Sequence, residues 1–488
     1  MRLHTLLEDL PDIRQHTPGN PDITGLATDA RKVVAGNLFV ALRGDGNLED
    51  RLPFVPQAIQ NGAAVVISER DIEVGAAIQL QTSNTHRALS ALSKRFYGNP
   101  SDALHLVGVT GTKGKTSTVF LIRAILEAAG LKPGLIGTIE HHLGTKREPS
   151  NNSTPQAHDL HRFFRTMVDS GCRSAVMEVT SHGLAQHRVD GIHYEAAVFT
   201  NISRDHLDYH KTHEAYLAAK AMLFDNLKTD AHAIVNADDP ATDILLKNCR
   251  AKIVRFGQSS LADIRILHGQ TNWRGTDLHL QIPAGALNLH LSMQGSFQYY
   301  NATAAVCVGL SLDIPPDIIV EAMRDVQVPG RFEVINCGQN FSVIVDYAHA
   351  PAPLENVLKT ARDFTQGRLI CVFGCGGDRD RGKRPLMGEI SAQLADFTIV
   401  TSDNPRTEDP NAIIRDILPG VQHAPHSVEV NRRKAIEMAI GQAQQGDMVI
   451  IAGKGHEDYQ EINHVKTHFD DREVAREILN AKNKIQRN

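Results

Sequence analysis

The chain has 488 residues, is 42% hydrophobic and 22% charged, and carries a net charge of −5. That length suggests about three domains of ordinary size, with apolar content enough for several cores. No long basic block argues for a nucleic-acid surface, and no run approaches the ~20 apolar residues of a membrane span, so neither role is expected.

Residues 1–10 lack the apolar core of a signal peptide, and the six cysteines have no metal-type spacing. Buried or incidental thiols in a reducing cytoplasm are expected. Residues 1–103 read as a small α/β domain. Leu38-Phe39-Val40-Ala41-Leu42 and Ala63-Ala64-Val65-Val66-Ile67-Ser68 predict strands. The spacing over 87–97 predicts an amphipathic helix, stopped by Gly98-Asn99-Pro100.

From 104 to 330 strands and helices alternate. Leu104-His105-Leu106-Val107 predicts a buried strand and 117–129 a helix. Between them runs Gly108-Val109-Thr110-Gly111-Thr112-Lys113-Gly114-Lys115-Thr116. Strand, glycine loop and helix together point backbone N–H groups and a helix N-terminus at a phosphate. Lys115 would reach the β- and γ-phosphates, and the Thr116 hydroxyl would hold Mg²⁺. The loop is one residue longer than the common P-loop, so its strand and helix context carries the reading. Continuous apolar runs at 175–179, 196–201 and 233–236 suit a parallel sheet covered on both faces.

Residues 331–488 repeat the alternation. Strands are expected at 342–347, 369–374, 397–401 and 448–453, each ending in a loop with Gly, Asp or His. That is a Rossmann-like sheet with functional loops at its carboxyl edge. The expected fold class is α/β in three domains: a small N-terminal α/β domain (1–103), a central parallel-sheet P-loop ATPase domain (104–330) and a C-terminal Rossmann-like domain (331–488).

Several polar groups cluster at strand ends. Glu178 closes a strand in the central domain, where a Mg²⁺ ligand belongs; a surface salt bridge is the alternative. Residues 200–210 gather Arg204, Asp205, His206, Asp208 and His210 in one loop, and His206 is the expected second metal-side ligand. Lys220 lies in a helix among alanines and large apolar residues, and by itself reads as a lysine snorkelling to solvent. In the last domain Asp346-Tyr347-Ala348-His349 follows a strand, and 374–385 form an Arg- and Lys-rich loop. Asp403-Asn404-Pro405-Arg406 offers a guanidinium fork for a carboxylate. Glu457, after Gly453, can receive an ammonium group. Acid and base on successive sheet-edge loops suit an amino-acid zwitterion; solvated surface charge is the alternative for any one loop.

In this order the segments resemble the Mur ligases, ATP-dependent enzymes that form amide bonds. The resemblance spans nearly the whole chain. It rests on Thr110 through Thr116, Glu178 with Ser181-His182-Gly183-Leu184, 201–210, Asp346-Tyr347-Ala348-His349, 374–388 and 453–460. It implies ATP and Mg²⁺ as cofactors. Thr110, Gly111, Thr112, Lys113, Gly114, Lys115 and Thr116 would bind ATP, with Asn301, Arg331, Asp346 and His349 holding the nucleotide across a domain interface. Lys115, Glu178, His206 and Lys220 are the implied catalytic residues. Thr116, Glu178, His206 and a Lys220 carbamylated by CO₂ are the implied metal ligands, which replaces the snorkelling reading of Lys220.

Thr28, Ala30, Asn152, Ser153, Thr154, Thr180, Gln186 and Arg188 are the implied contacts to a UDP-muramyl peptide. Arg379, Asp403, Asn404, Pro405, Arg406, Gly453 and Glu457 are the implied pocket for meso-diaminopimelate, with Arg406 pairing the carboxylate that lysine lacks. The implied activity adds meso-diaminopimelate to the D-glutamate γ-carboxylate of UDP-N-acetylmuramoyl-L-Ala-D-Glu through an acyl phosphate, in peptidoglycan precursor synthesis. The implied partners are those two small molecules, without nucleic acid, and a monomer is expected.

Four positions depart from the family pattern. Lys113 stands where Asn is usual, Gln298 where Asn follows Phe, Ala350-Pro351-Ala352 where Thr-Pro-Asp is common, and Ala30 where a serine contacts uridine, with Thr28 as its candidate substitute. They motivate two alternatives: a paralogue using L-lysine, or a non-catalytic nucleotide-binding relative.

Overall fold

The computed structural model describes residues 1–10, 12–45, 48–150, 152–272 and 275–487. Its contacts gather into two compact units: residues 1–270, 277–291 and 296–326, and residues 271–276, 292–295 and 327–488.

The first unit holds two sheets. The N-terminal one has five strands in the order Ile13–Gln15, Ile78–Thr82, Val65–Ser68, Asn37–Val40 and Gly25–Ala27. Its first pair is antiparallel and the rest parallel. Leu38, Val40, Val65 and Ile67 face one apolar cluster, and Phe39 and Val66 face another. The alternation follows from side chains pointing to opposite faces of a strand. The helix expected over 87–97 runs Thr85–Phe96, because the Asn84 side chain accepts from the His86 and Arg87 amides and caps it earlier. This module is tied to the rest of its unit: Ser90 Oγ donates to the His187 carbonyl at 2.6 Å, and Lys94 Nζ to the Gly191 carbonyl at 2.9 Å.

The large sheet is built around six parallel strands in the order Lys252–Gly257, His232–Asn236, Ala196–Phe199, His105–Thr110, Ser174–Glu178 and Pro133–Ile136. All five residues of Ser174–Glu178 are buried, as a strand covered on both faces requires. Register brings three carboxyl ends together: Glu178 pairs with Val109, and Phe199 with Thr110. The helix expected from 117 begins at Lys115, with Gly114 as a left-handed N-cap, so Lys115 and Thr116 form its first turn.

In the second unit the strands run Glu333–Val334, Ser342–Asp346, Met448–Ala452, Leu369–Phe373, Phe397–Val400 and His426–Val428, parallel except for the first pair. Cys371, Phe373 and Ile450 face one core, and Val343, Val345, Ile370, Val372 and Ile451 the other. The sheet is therefore covered on both sides, and its polar residues collect in loops at the carboxyl edge. Among the described residues no helix is long and apolar enough to cross a membrane.

Candidate active site

The loop between His105–Thr110 and Lys115–Ala128 is held by the neighbouring strand end. Gly111 has φ +147°, and a Cβ there would sit 1.9 Å from Thr200 Oγ1. At Gly114, φ +87°, a Cβ would sit 2.3 Å from Asn301 Oδ1. Only glycine fits either place. Asn201 clamps Lys113 from both sides, its Oδ1 accepting from the Lys113 amide and its Nδ2 donating to the Lys113 carbonyl, each at 3.0 Å. Thr200 Oγ1 donates to the same carbonyl at 2.7 Å. Thr110 ends the strand, buried, and the Thr112 hydroxyl meets Tyr216 Oη at 3.0 Å. Lys115 Nζ donates to the Gly111 and Thr112 carbonyls at 2.8 and 3.0 Å, folded back over the loop.

Glu178 is fully buried and is not a surface salt-bridge partner. Its Oε1 accepts from Thr116 Oγ1 at 3.0 Å and the Thr138 amide at 2.8 Å, and its Oε2 from Thr138 Oγ1 at 3.0 Å. A carboxylate ringed by hydroxyls beside the phosphate loop is an oxygen donor set that suits Mg²⁺. Among the described residues no three His, Cys, Asp or Glu side chains converge as a metal site. A cation here would need Thr116, phosphate oxygens or a carbamate to complete its shell.

Lys220 corrects the snorkelling expectation. It is 1% exposed, in a helix buried along Tyr216, Leu217, Ala219, Leu223 and Phe224, so it has no short route to water. Its Nζ donates to the Gly111 carbonyl at 3.0 Å, the acceptor Lys115 also uses, and lies 4.6 Å from the centre of the Tyr216 ring. Burial, then the Lys115 charge, drives its amine well below the usual lysine range. Beside it is a ring cluster. His182 packs at 4.8 Å from His206, 4.4 Å from Tyr209 and 5.5 Å from His210, centre to centre. Burial, then His206 and His210, lower His182 to about 4. His206 is also lowered, by burial first.

Next to Glu178 the expected UDP-substrate residues form a second network. Thr154 Oγ1 donates to the Glu178 carbonyl at 2.9 Å and accepts from the Thr180 amide and hydroxyl at 3.0 Å each. Arg188 Nη1 donates to the Thr154 carbonyl at 2.6 Å, and its Nη2 to Gln186 Oε1 at 2.6 Å. Ser153 Oγ lies 2.7 Å from Thr138 Oγ1, and Asn152 is exposed alongside. Thr28 and buried Ala30 follow a strand of the first sheet, and among the described residues no hydrogen bond joins them to this network.

In the second unit Asp403, Asn404, Arg406, Gly453 and Glu457 come together. Asn404 Nδ2 donates to Glu457 Oε2 at 2.8 Å. A Cβ on Gly453, φ +120°, would sit 2.5 Å from Asp403 Oδ2. That oxygen is buried and, among the described residues, without a hydrogen-bond partner. Arg406 Nη1 donates to the Gly377 carbonyl at 2.8 Å, and its Nε lies 3.8 Å from Glu461 Oε2. The Pro405 carbonyl would sit 1.9 Å from a Cβ on Gly377, so that glycine admits the turn. Arg379 is exposed, bonded only weakly to the Asp378 carbonyl at 3.4 Å. Asp346 accepts from the Phe332 and Ala348 amides at 2.7 and 2.9 Å. Arg331 stacks 4.8 Å over Tyr347, and His349 Nδ1 meets the Tyr347 carbonyl at 2.9 Å. Asn301 stays with the phosphate loop in the first unit.

Sequence reasoning passed over Thr138, Thr200, Asn201, His182, Tyr209 and Lys454 as site residues. Thr200, Asn201 and His182 sat inside noted motifs, and Lys454 lies between Gly453 and Gly455. Thr138 carried no signal of its own.

A glycine loop feeding a helix at the edge of a parallel sheet, with a buried acid beside it, defines a nucleotide-phosphate-binding α/β protein. The sequence matches the Mur ligase middle domain over residues 109–309 and the Mur ligase, glutamate ligase domain over 330–455. The chain belongs to the Mur ligase family. It is 43% identical to a UDP-N-acetylmuramoyl-L-alanyl-D-glutamate–2,6-diaminopimelate ligase of Bacillus cereus, over 99% of each chain. It is 44% identical to the enzyme of that name from Geobacillus kaustophilus, over 98% of this chain and 99% of the relative. A solved structure of a ligase of that name, 35% identical, superposes with a TM-score of 0.67 over 94% of this chain and 95% of that one.

Proposed function

We propose that this protein is an ATP-dependent ligase that joins meso-diaminopimelate to the D-glutamate γ-carboxylate of UDP-N-acetylmuramoyl-L-Ala-D-Glu. The observation that carries the reading is the placement of buried Glu178 against Thr116 and of buried Lys220 against the Gly111 carbonyl, at the two ends of one glycine loop, in a chain 43% identical over its length to ligases of that name. We read it as three domains, 1–103, 104–330 and 331–488, working in the cytoplasm as a monomer.

The loop amides and Lys115 hold the ATP phosphates. Ser153, Thr154, Thr180, Gln186 and Arg188 hold the UDP-muramyl peptide beside them, with its γ-carboxylate facing the γ-phosphate. A carboxylate oxygen attacks the γ-phosphorus and ADP leaves, giving an acyl phosphate. The neutral amine of diaminopimelate then attacks the acyl carbon, inorganic phosphate leaves, and the amide remains after loss of one proton. Mg²⁺, when bound, would be held by Thr116, Glu178, His206 and carbamylated Lys220, and would offset phosphate charge. Burial favours the neutral Lys220 amine, the form that adds CO₂ and releases a proton to become a carbamate. Positioning and charge neutralisation supply most of the rate. Arg406 pairs the distal carboxylate of diaminopimelate, and Glu457, held by the Asn404 amide, receives an ammonium.

Phosphate release by the purified protein tests this. It should require the UDP-muramyl dipeptide together with meso-diaminopimelate. Equal release with L-lysine contradicts the substrate, and no release with any amino acid contradicts the activity. No observation favours the lysine-using or non-catalytic alternative over this reading.

A further inference from the structure

Lys454 is fully buried in the second unit, at the end of the strand Met448–Ala452. Its Nζ donates to Asn404 Oδ1 at 3.0 Å and lies 3.4 Å from Glu457 Oε2. Asn404 closes the triangle through Nδ2 to Glu457 Oε2 at 2.8 Å, and its Oδ1 also accepts from the Glu461 amide at 3.0 Å. One ammonium thus ties the 403–406 loop to the 453–457 loop. A buried lysine serving only as a brace would be a costly choice, since an apolar side chain fills the same space without desolvating a charge.

We propose that Lys454 is a positioning residue for the amino-acid pocket, its ammonium fixing the Asn404 amide and the Glu457 carboxylate in the geometry that receives the ammonium of the incoming diamino acid. This rests on reading the Asn404–Glu457 pocket as the acceptor site. The charged and titratable groups facing Glu457 are Lys454, Asp403, Arg432, Tyr347 and Tyr459. Arg432 is bonded to Asp471 through two contacts of 2.7 Å, which offsets its charge. Among the described residues that leaves Lys454 as the cation in hydrogen-bond reach of Glu457. Burial pushes the Glu457 carboxyl up, Asp403 adds to that, and Lys454 opposes both. Lys454 thus favours the charged carboxylate, and without it the carboxyl would hold its proton to higher pH and attract an ammonium less.

The test is steady-state kinetics of Lys454→Met and Lys454→Gln at pH 7.0 and 8.5, each relative to the unaltered enzyme at the same pH. At pH 7.0 the KM for meso-diaminopimelate should rise about tenfold in both, as for loss of a hydrogen bond to a charged group. The KM values for ATP and the UDP-muramyl dipeptide should stay within about twofold. At pH 8.5 the gap should narrow, because higher pH favours the ionised Glu457 that Lys454 otherwise stabilises. Gln keeps a donor for Asn404 without the charge, and serves if Met fails to fold. Glu457→Gln should show a deficit that does not recover with pH, and adding Lys454→Met to it should cost nothing further. An unchanged KM in the lysine variants, a deficit equal at both pH values, or one spread over all three substrates overturns the inference. An unchanged KM in Glu457→Gln overturns the pocket reading itself, and the inference with it.

Discussion

Arg406→Met removes the group that should separate diaminopimelate from lysine. The guanidinium is 21% exposed as a side chain, with Nη1 on the Gly377 carbonyl at 2.8 Å and Nε 3.8 Å from Glu461. One edge of the fork is already fixed, so little rotamer freedom remains to be lost on binding. A carboxylate meeting its remaining N–H groups gains about 1.5–3 kcal/mol of charge-assisted hydrogen bonding. At 1.4 kcal/mol per decade, losing that should lower kcat/KM for meso-diaminopimelate by about 10- to 150-fold. Met keeps most of the volume, and the backbone at this position, φ +52°, is already left-handed for a non-glycine residue. L-lysine lacks the distal carboxylate, so its kcat/KM should change by less than about threefold. Phosphate release with varied diaminopimelate or lysine, at saturating ATP and UDP-muramyl dipeptide, measures both. A fall below about threefold for diaminopimelate, or an equal fall for both amino acids, would refute the role of Arg406.

Gly111→Ala drives a methyl against Thr200 Oγ1, which is anchored on the Lys113 carbonyl. Overpacking of about 1–3 kcal/mol should weaken binding of a fluorescent ATP analogue by about 5- to 150-fold, and unchanged affinity would contradict the loop assignment. Lys220→Met should lose phosphate release yet melt at a higher temperature at pH 7 in CO₂-free buffer. The sign follows from linkage: the folded amine is lowered, so from that lowered value up to the unfolded value of about 10.4 the unfolded chain holds more protons, and stability rises with pH. The melting advantage of Lys220→Met should therefore shrink as pH approaches 10, and an advantage that grew with pH would contradict it. The proposed reaction joins ligands held at the Gly111–Lys115 loop and at the Asn404–Glu457 cluster, which lie on different units, so an ATP analogue with the UDP-muramyl dipeptide should compact the protein in small-angle scattering. An unchanged profile counts against closure.

The strand, glycine loop and helix over 105–128 were legible because the loop residues are contiguous and its conformation depends on Gly111 and Gly114 themselves. The parallel sheets were legible because strands buried on both faces are written as unbroken apolar runs, as at Ser174–Glu178. Lys220 was not. Its helix pattern alone allows an exposed lysine, and its burial is set by Tyr216 and by the Gly111 carbonyl, 109 residues away in sequence. The ring cluster was hidden for the same reason, since His182 and His206 meet only through the alignment of strand ends. Helix starts moved by about two residues where a cap decided them, Asn84 in one case and Gly114 in the other. Lys454 was in view within a noted motif, but only the distances to Asn404 and Glu457 separate it from a surface lysine.

Oxygen labelling follows the proposed chemistry most directly. UDP-muramyl dipeptide carrying ¹⁸O in both γ-carboxylate oxygens of its D-glutamate would be turned over with ATP and meso-diaminopimelate, and the inorganic phosphate analysed by mass spectrometry. Transfer of one ¹⁸O to each phosphate, with the other kept in the new amide, is the expected result. Phosphate free of ¹⁸O alongside amide product would contradict activation of the carboxylate by ATP at the Gly111–Lys115 loop.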